Sequence, residues 1–274
     1  MVKTPAPPKV RWRRGVQQQG NDRYRPFFLD LFGGAEGVAR ALRARGFACK
    51  SFDISQGPLG DLSRRSVVRR ICKLLRAGQC RGVMLAPPCT TFSIARRPAL
   101  RSMLRPWGLE GLSDKDTLQL AVANRLIQST LTILHVAEAT CTPWILENPL
   151  SSLFWRLPQV RQMFRRSHTS VADLHMCGYG TPWRKATKLL CSRIRDPSSL
   201  AVRCFPSAGG LCAHSGRRHA VLQGRDQLGV PWTRRAQEYP RFFCTSVATQ
   251  LIEAGREHEF ASLVRERQHI FQIH

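Results

Sequence analysis

The sequence is short of acidic residues and contains no long apolar run. Only 18 of its 274 residues are Asp or Glu, against 43 Lys and Arg, and the formal net charge at pH 7 is +25. Such an excess favours a polyanionic partner, and nucleic acid is the first candidate. Because only 7 of the basic residues are Lys, an Arg bias from a GC-rich coding sequence is the alternative explanation. No stretch approaches the ~20 apolar residues of a membrane span, so we expect no membrane partner.

Two further patterns are missing. The ten Cys lack the regular spacing of small disulfide-rich secreted domains. Residues 1–25 are basic and rich in Pro and Gln, without the apolar segment of a secretory signal. We expect this stretch to be a disordered arm that touches phosphate. The expected protein is an intracellular monomer, nuclear or nucleoid-associated.

Apolar runs alternate with helical patterns along most of the chain. This alternation predicts an α/β fold with a parallel sheet and helices on both faces. Strands are predicted at 27–31, 48–54, 82–86, 144–146, 170–174 and 187–190, and helices at 35–45, 63–77 and 114–139. The predicted organisation is the arm 1–25, a main domain 26–193, a small Cys/His/Arg-rich recognition or metal-binding insert 194–238, and a C-terminal helix 239–274 that returns to the main domain.

A glycine-rich turn follows the first strand. Glycines let the backbone approach a ligand, and the N-terminus of the next helix offers free N–H groups. The acid precedes the glycines, which differs from the dinucleotide GxGxxG pattern and suits the methionine moiety of S-adenosylmethionine. Asp53, at the end of the second strand, is placed to hold ribose hydroxyls, and Asp61 to accept from the adenine amino group. Structural glycines and solvated acids are the alternative for this set, which comprises Asp30, Gly33, Gly34, Gly37, Asp53 and Asp61.

Cys89 lies in a tight turn after the third strand, and Glu147 ends a later strand. Both are expected at the carboxyl edge of the sheet. Methylation of a pyrimidine at C5 needs a thiolate that adds to C6 and an acid near N3. An inert buried thiol is the alternative reading of Cys89.

Four motifs in order resemble those of cytosine-C5 DNA methyltransferases, and the chain looks like a divergent member of that family. They cover roughly residues 27–190, and a weaker echo at 245–247 precedes the last predicted helix. The motifs are Asp30 to Gly37, Pro88-Cys89 with Phe92-Ser93, Glu147-Asn148, and Tyr179-Gly180-Thr181-Pro182-Trp183-Arg184-Lys185.

The resemblance implies a Rossmann-like class I methyltransferase fold, S-adenosylmethionine as cofactor and a cytosine flipped out of the DNA helix. Cys89 would be the nucleophile and Glu147 the N3 partner, with Ser93 and Arg184 completing the catalytic set. Lys185 would lie near the base or the nucleic-acid backbone. The implied cofactor residues are Asp30, Phe32, Gly33, Gly34, Gly37, Asp53, Asp61 and Pro88.

Three positions depart from the family pattern. Pro149 replaces a Val, Trp183 stands where Gln is usual, and Thr187 takes the place of an Arg that touches the base carbonyl. The stretch between Leu190 and Tyr239 is short for a target-recognition region, so we expect little sequence specificity. RNA cytosine methylation and a catalytically degenerate nucleic-acid-binding module remain alternatives.

A basic loop follows Cys89. Four arginines in such a loop suit phosphate contact, although a solvated flexible loop explains them equally well. These residues are Arg96, Arg97, Arg101 and Arg105.

Two Cys and two His fall close together in the insert. Their residue types suit a structural zinc ion, but their spacing matches no common zinc finger. The predicted ligands are Cys204, Cys212, His214 and His219, with His175, Cys177 and Cys191 as alternatives. Ordinary buried or exposed side chains are the other reading.

Overall fold

A mixed six-stranded sheet forms the centre of the computed structural model, which describes residues 26–207 and 209–271, with the backbone alone from residue 262. The strands are β1 Phe27–Leu31, β2 Ala48–Phe52, β3 Cys80–Leu85, β4 Trp144–Pro149, β5 Thr169–His175 and β6 Ala186–Ser192. The helices are α1 Gly37–Arg43, α2 Arg65–Arg76, α3 Asp114–Ala139, α4 Pro158–Met163, α5 Trp232–Arg235 and α6 Arg241–Phe271.

The strand order is β2-β1-β3-β4-β6-β5. The first four strands are parallel, whereas β6 runs antiparallel to both of its neighbours. The α/β prediction is confirmed, and the sheet is compatible with a Rossmann-like methyltransferase fold. The expectation of a wholly parallel sheet is wrong for β6. The connection from β5 to β6 covers only residues 176–185, and a parallel crossover requires about a dozen residues or more.

Helices cover both faces of the sheet, as predicted, because side chains alternate between faces along each strand. Phe27, Leu29 and Leu31 of β1 pack into one core with α2 and α3. Phe28 belongs to a second core, on the opposite face, together with α1 and α6.

The chain changes direction along the sheet between β1 and β3. β2 lies on one side of β1 and β3 on the other, so the connections that leave these strands diverge. Such a switch point opens a crevice at the carboxyl edge of a parallel sheet, where ligands bind in α/β folds. The segments that follow β1, β3 and β4 all begin at this edge.

The long C-terminal helix α6 packs against α1 and β3. Residues 245–247 lie within it, which corrects the expectation that they precede the last helix. None of the helices that the structure describes combines the length and the apolar character needed to cross a membrane.

Glu138, near the end of α3, links several elements through one carboxylate. It accepts hydrogen bonds from the Trp144 indole (2.7 Å) and the Ser192 hydroxyl (2.8 Å). It also pairs with Arg166, His168 and Arg193 at 3.0, 2.6 and 3.2 Å. Burial favours a higher pKa, but these hydrogen bonds outweigh it and lower the pKa of Glu138 to about 2.

We expect Glu138→Gln to lower the free energy of unfolding at pH 7 by about 2 kcal/mol, because the ionised form is favoured in the folded state. A depressed carboxyl pKa contributes stability above its unfolded value, and that contribution disappears as the pH falls toward 2. Urea denaturation at pH 7 and pH 3 should therefore show a smaller difference between wild type and variant at pH 3. Glu110→Gln is the control, since the Arg105–Glu110 pair is exposed. A difference that stays constant with pH contradicts this account.

Candidate functional site

The turn after β1 is built around the buried carboxylate of Asp30. Its Oδ2 accepts a hydrogen bond from the Ala39 N–H (3.0 Å) in α1. Gly33 passes so close that a Cβ there would lie 2.8 Å from Asp30 Oδ2. Burial raises the pKa of Asp30 to about 6, which the Ala39 N–H only partly opposes. The carboxylate therefore holds the turn in place but is costly to ionise.

Two glycines of this turn have a packing role. Gly33 makes room for Asp30, and a Cβ on Gly37 would lie 2.6 Å from the Cys244 sulfur on α6. Gly34 differs, because it has a φ of 50° and a Cβ placed there would have no atom within 4 Å. Of the three predicted glycines, Gly34 is the one that leaves the turn open toward a ligand. Phe32 also has positive φ (60°) and packs against the core.

The acids predicted for the cofactor lie beside the same turn. Asp53 accepts from the Gly34 N–H (3.0 Å) and from the Ser55 N–H (2.9 Å), so it ties the end of β2 to the turn. Gly60 packs directly against the Asp53 carbonyl, where no side chain fits, so Asp61 follows close to Asp53. Next to Asp53, the Ile54 side chain is 73% exposed and offers an apolar surface.

Cys89 starts a 3-10 turn over Thr90–Phe92, directly after β3. The preceding proline pair is anchored by Asn148, whose Nδ2 donates to the Pro87 carbonyl at 3.0 Å. Asn148 is fully buried at the end of β4. The structure therefore brings the Pro-Cys and Glu-Asn motifs together through a direct hydrogen bond. Pro88 itself is exposed.

The Arg101 guanidinium is used inside the protein, which corrects its predicted contact with phosphate. The residue is only 3% exposed. It donates to Thr91 Oγ1 (3.1 and 3.3 Å) and to the Pro106 carbonyl (2.7 Å), and lies 3.7 Å above the Phe92 ring. Arg101 thus stabilises the turn after Cys89 from the interior of the protein, through Thr91 and Phe92.

Other predicted loop residues are divided between internal and exposed positions. Arg96 bonds to Asp116 (3.0 Å) and Gln119 (2.8 Å) and fastens the loop to α3. Arg97 is exposed and donates to the Ile94 carbonyl (3.0 Å), and Arg105 forms the exposed pair with Glu110. Ser93 is exposed and its hydroxyl accepts from the Ala95 N–H (3.3 Å).

Glu147 is 5% exposed and its two carboxylate oxygens differ. Oε2 accepts a hydrogen bond of 2.6 Å from the Tyr239 hydroxyl. Oε1 is buried and has no hydrogen-bond partner among the described residues. A buried oxygen without a partner is costly, and this one marks a place for a ligand donor. Burial and the Glu147 charge together raise the pKa of Tyr239 well above its ordinary value.

Cys89, Glu147, Tyr239 and Lys185 form one electrostatic cluster. Burial raises the pKa of the Cys89 thiol, the Glu147 carboxylate raises it further, and Lys185 opposes both. The Lys185 ammonium donates to the Ala236 carbonyl (3.0 Å) and lies 5.6 Å from the centre of the Tyr239 ring. Tyr239 was not among the residues predicted from the sequence, because it reaches Glu147 from 92 positions away and carries no local pattern.

Arg184, Trp183 and the nearby Thr187 have other partners. Arg184 donates to the Cys204 carbonyl at 3.2 Å. Thr187 is fully buried on β6, opposite Pro149 in the strand register, and the Trp183 ring packs edge-on against Trp232. Lys185 is therefore the basic residue of this motif that belongs to the cluster.

A separate group of thiols lies in and beside the insert. The candidate ligand atoms of Cys177, Cys204, Cys212 and His219 all lie within 4.8 Å of one another. The predicted ligand His214 is outside this group, with its Nε2 3.1 Å from the Arg203 carbonyl. Cys177, one of the alternatives, takes its place, while His175 Nδ1 accepts from the Cys204 N–H (2.8 Å) and Cys191 lies on β6.

No protein-family model matches the chain, and no curated protein matches it. Among solved structures, it is similar to the Dnmt2 methyltransferase of S. pombe, with 16% sequence identity and a TM-score of 0.38. The superposition covers 61% of this chain and 51% of that one, so the chain spans about half the length of that protein. Any function assigned to the chain therefore depends on the geometry of its own site.

We expect Arg101→Met to loosen the Cys89 turn, because it removes the bonds to Thr91 and Pro106. The rate at which iodoacetamide alkylates Cys89, followed by peptide mass spectrometry, should then rise roughly tenfold, corresponding to about 1.5 kcal/mol for one lost hydrogen bond to a charged donor. Arg97→Met is the matched control, since Arg97 lies on the exposed side of the same loop. Equal alkylation rates in wild type and Arg101→Met would show that the turn does not depend on this guanidinium.

Proposed function

We propose that the chain methylates cytosine at C5 in nucleic acid, with DNA as the leading substrate and S-adenosylmethionine as the methyl donor. The observation that carries this proposal is the pairing of Cys89 with the unpartnered Glu147 Oε1 at one edge of the sheet, beside the glycine turn. Cytosine-C5 chemistry requires a thiol and a carboxyl group acting on one flat base.

The residues around the turn fit the proposed cofactor. Its ribose hydroxyls would be held by Asp53, and its adenine by Asp61 and by the exposed surface of Ile54. Bound there, the cofactor supplies an electrophilic methyl group on a positively charged sulfur. The Asp30 carboxylate lies behind the turn, where an approaching positive charge favours its ionised form.

Cys89 begins the reaction by adding its thiolate to C6 of the cytosine. The C5–C6 electron pair moves onto C5, which then takes the methyl group. A water molecule takes the proton from C5, which restores the C5–C6 double bond, breaks the bond between sulfur and C6 and regenerates the thiolate. Lys185 favours the thiolate, because its positive charge opposes the rise in the pKa of Cys89 that burial and Glu147 cause.

Glu147 acts on the opposite side of the ring. Tyr239 occupies Oε2 and Oε1 has no partner among the described residues, so Oε1 is the oxygen proposed to meet the base. Protonated at this oxygen, the carboxyl group donates its proton to N3 as the thiolate adds, and it takes the proton back when the sulfur leaves. Tyr239 is a positioning residue, since it determines which oxygen the base meets.

The loop after Cys89 supplies the proposed contacts with nucleic acid. Arg97 and Arg105 are exposed there and suit phosphate. Ile94, Met103 and Leu104 in the same loop are 56, 56 and 93% exposed, and apolar side chains of this kind insert between bases when a nucleotide leaves the stack.

A catalytically inactive nucleic-acid-binding module is the second candidate. It is favoured by one observation: Arg184 bonds to the Cys204 carbonyl and position 187 is a buried Thr, so neither supplies an arginine donor to the base carbonyl. Such a module keeps the basic surface and loses methyl transfer.

We expect the protein to form a covalent adduct with a duplex that contains 5-fluorocytosine when S-adenosylmethionine is present. Fluorine at C5 blocks the final loss of the proton, so the Cys89–C6 bond persists and the adduct is visible on a denaturing gel. Cys89→Ser should abolish both the adduct and methyl transfer while cofactor binding changes little. Cys141→Ser is the matched control, because Cys141 lies outside the cluster.

The same experiment with 5-fluorocytosine in RNA separates the two substrate classes. An adduct on RNA alone would replace DNA by RNA in the proposal. No adduct on either nucleic acid, together with retained binding, would establish the binding module. Full methylation by Cys89→Ser would refute the thiol mechanism.

We also expect the preference for S-adenosylmethionine over S-adenosylhomocysteine to grow a few-fold from pH 5 to pH 7. Burial raises the pKa of Asp30 to about 6, so its charge appears in this range, and it attracts only the ligand with a positively charged sulfur. Calorimetric titration with both ligands measures the ratio. Asp30→Asn should remove its pH dependence, whereas Asp61→Asn should weaken both ligands alike. A ratio that does not change with pH would separate Asp30 from the cofactor.

A further inference from the structure

Three buried thiols lie together, apart from both cores of the sheet. Cys177, Cys204 and Cys212 form a small cluster of their own, and His219 adds a ring nitrogen to it. Cys177 lies in the connection between β5 and β6. Cys204, Cys212 and His219 lie in the segment that follows a 3-10 turn at Pro197–Leu200. A buried group of sulfur atoms facing one another, with so few apolar neighbours, is unlike ordinary core packing.

The distances between these atoms match a tetrahedral metal site. The sulfur atoms of Cys204 and Cys212 are 3.8 Å apart, and Cys204 Sγ is 3.6 Å from His219 Nε2. A tetrahedral zinc ion with bonds of about 2.3 Å to sulfur and about 2.05 Å to nitrogen places such ligands about 3.8 and about 3.6 Å apart. All four ligand atoms lie within 4.8 Å of one another.

The surrounding segment needs such a link. Between residues 203 and 235, with residue 208 outside the described part, the buried residues are Cys204 and Cys212 alone. The segment contains two isolated β-bridges and the four-residue helix α5. A stretch with so little apolar core requires a disulfide or a metal to be held in one conformation.

We propose that Cys177, Cys204, Cys212 and His219 bind one structural zinc ion. The three thiols lose their protons to solvent when the ion binds, and the imidazole binds in its neutral form. The resulting site carries one net negative charge, which suits its basic setting: Arg184 donates to the Cys204 carbonyl, and Arg203 is adjacent in the chain. All four positions of the tetrahedron are protein ligands, as in structural rather than catalytic zinc sites.

The ion would link the insert to the connection between β5 and β6, which ends at Lys185, the residue whose charge acts on Cys89. Several hydrogen bonds already join these segments, among them those from Arg184 to the Cys204 carbonyl (3.2 Å) and from the Ala220 N–H to the Pro182 carbonyl (2.8 Å). Through them the zinc ion acts on the position of Lys185. It contributes no group to the reaction itself.

The first experiment measures metal in the 274-residue chain, purified under reducing conditions without chelator. Plasma mass spectrometry should find about one zinc per chain. After exchange for Co²⁺, the visible spectrum should show the ligand-field bands of a tetrahedral site and the charge-transfer bands of thiolate ligands. Protein without zinc, and without a thiolate spectrum when Co²⁺ is added, would overturn the proposal.

The second experiment identifies the ligands. Cys212→Ser and His219→Ala should lose the metal on dialysis, whereas His214→Ala should retain it. His214 is the matched control, since it lies in the same segment and its ring faces the Arg203 carbonyl. Equal loss of metal in His214→Ala and His219→Ala would overturn this ligand set.

A third measurement does not depend on whether the variants fold. In wild-type protein, iodoacetamide should alkylate Cys177, Cys204 and Cys212 slowly, and a strong chelator should increase their rates at least tenfold, while the rate for Cys72 on α2 stays the same. Rates unaffected by the chelator, or a disulfide between Cys204 and Cys212 under the same reducing conditions, would exclude the bound ion.

Discussion

The buried hydrogen bond from Asn148 to the Pro87 carbonyl joins the ends of two neighbouring parallel strands, and the site depends on it. Successive residues of β4 point to opposite faces of the sheet. Asn148 therefore secures the Cys89 loop on the side of α2 and α3, while Glu147 reaches Tyr239 on the side of α6. One short strand end thus fixes the thiol and the carboxyl group relative to each other, and loss of that hydrogen bond would release both.

The cluster concentrates ionisable groups where water is excluded. Burial raises the pKa of Asp30 and of Cys89, and it raises the pKa of Tyr239 together with the Glu147 charge. Lys185 is the nearby positive charge that opposes this trend for the thiol. Strongly shifted pKa values of this kind are common at functional sites. A hydrogen-bond donor on a ligand that reached Glu147 Oε1 would remove the cost of leaving that buried oxygen without a partner.

Residues close to strand ends were predictable from the sequence, and those that meet across the fold were not. Asp30 and Glu147 lie near the ends of apolar strands and Cys89 follows one, and the carboxyl ends of parallel strands share one edge. Tyr239 joins them from a distant segment. Arg101 was misjudged because its residue type signals charge, whereas its stacking on Phe92 is decided by tertiary packing. For the thiol group, composition suggested a metal, but only the fold distinguishes Cys177 from His214 as the fourth member. The direction of β6 was not predictable, because the predicted strands left about a dozen residues between them, enough for a crossover, whereas the observed strands leave only residues 176–185.

The antiparallel direction of β6 divides the site into two parts that can vary separately. The loops after β1, β3 and β4 enter the crevice as their strands end, whereas the connection ahead of β6 enters it as a strand begins. Lengthening or replacing the segment before Lys185 would thus remodel the region facing the base while the glycine turn stays untouched. In the proposed enzyme, exchange of this one connection would change the substrate preference, in evolution or by design, without a matching change in how the methyl donor is held.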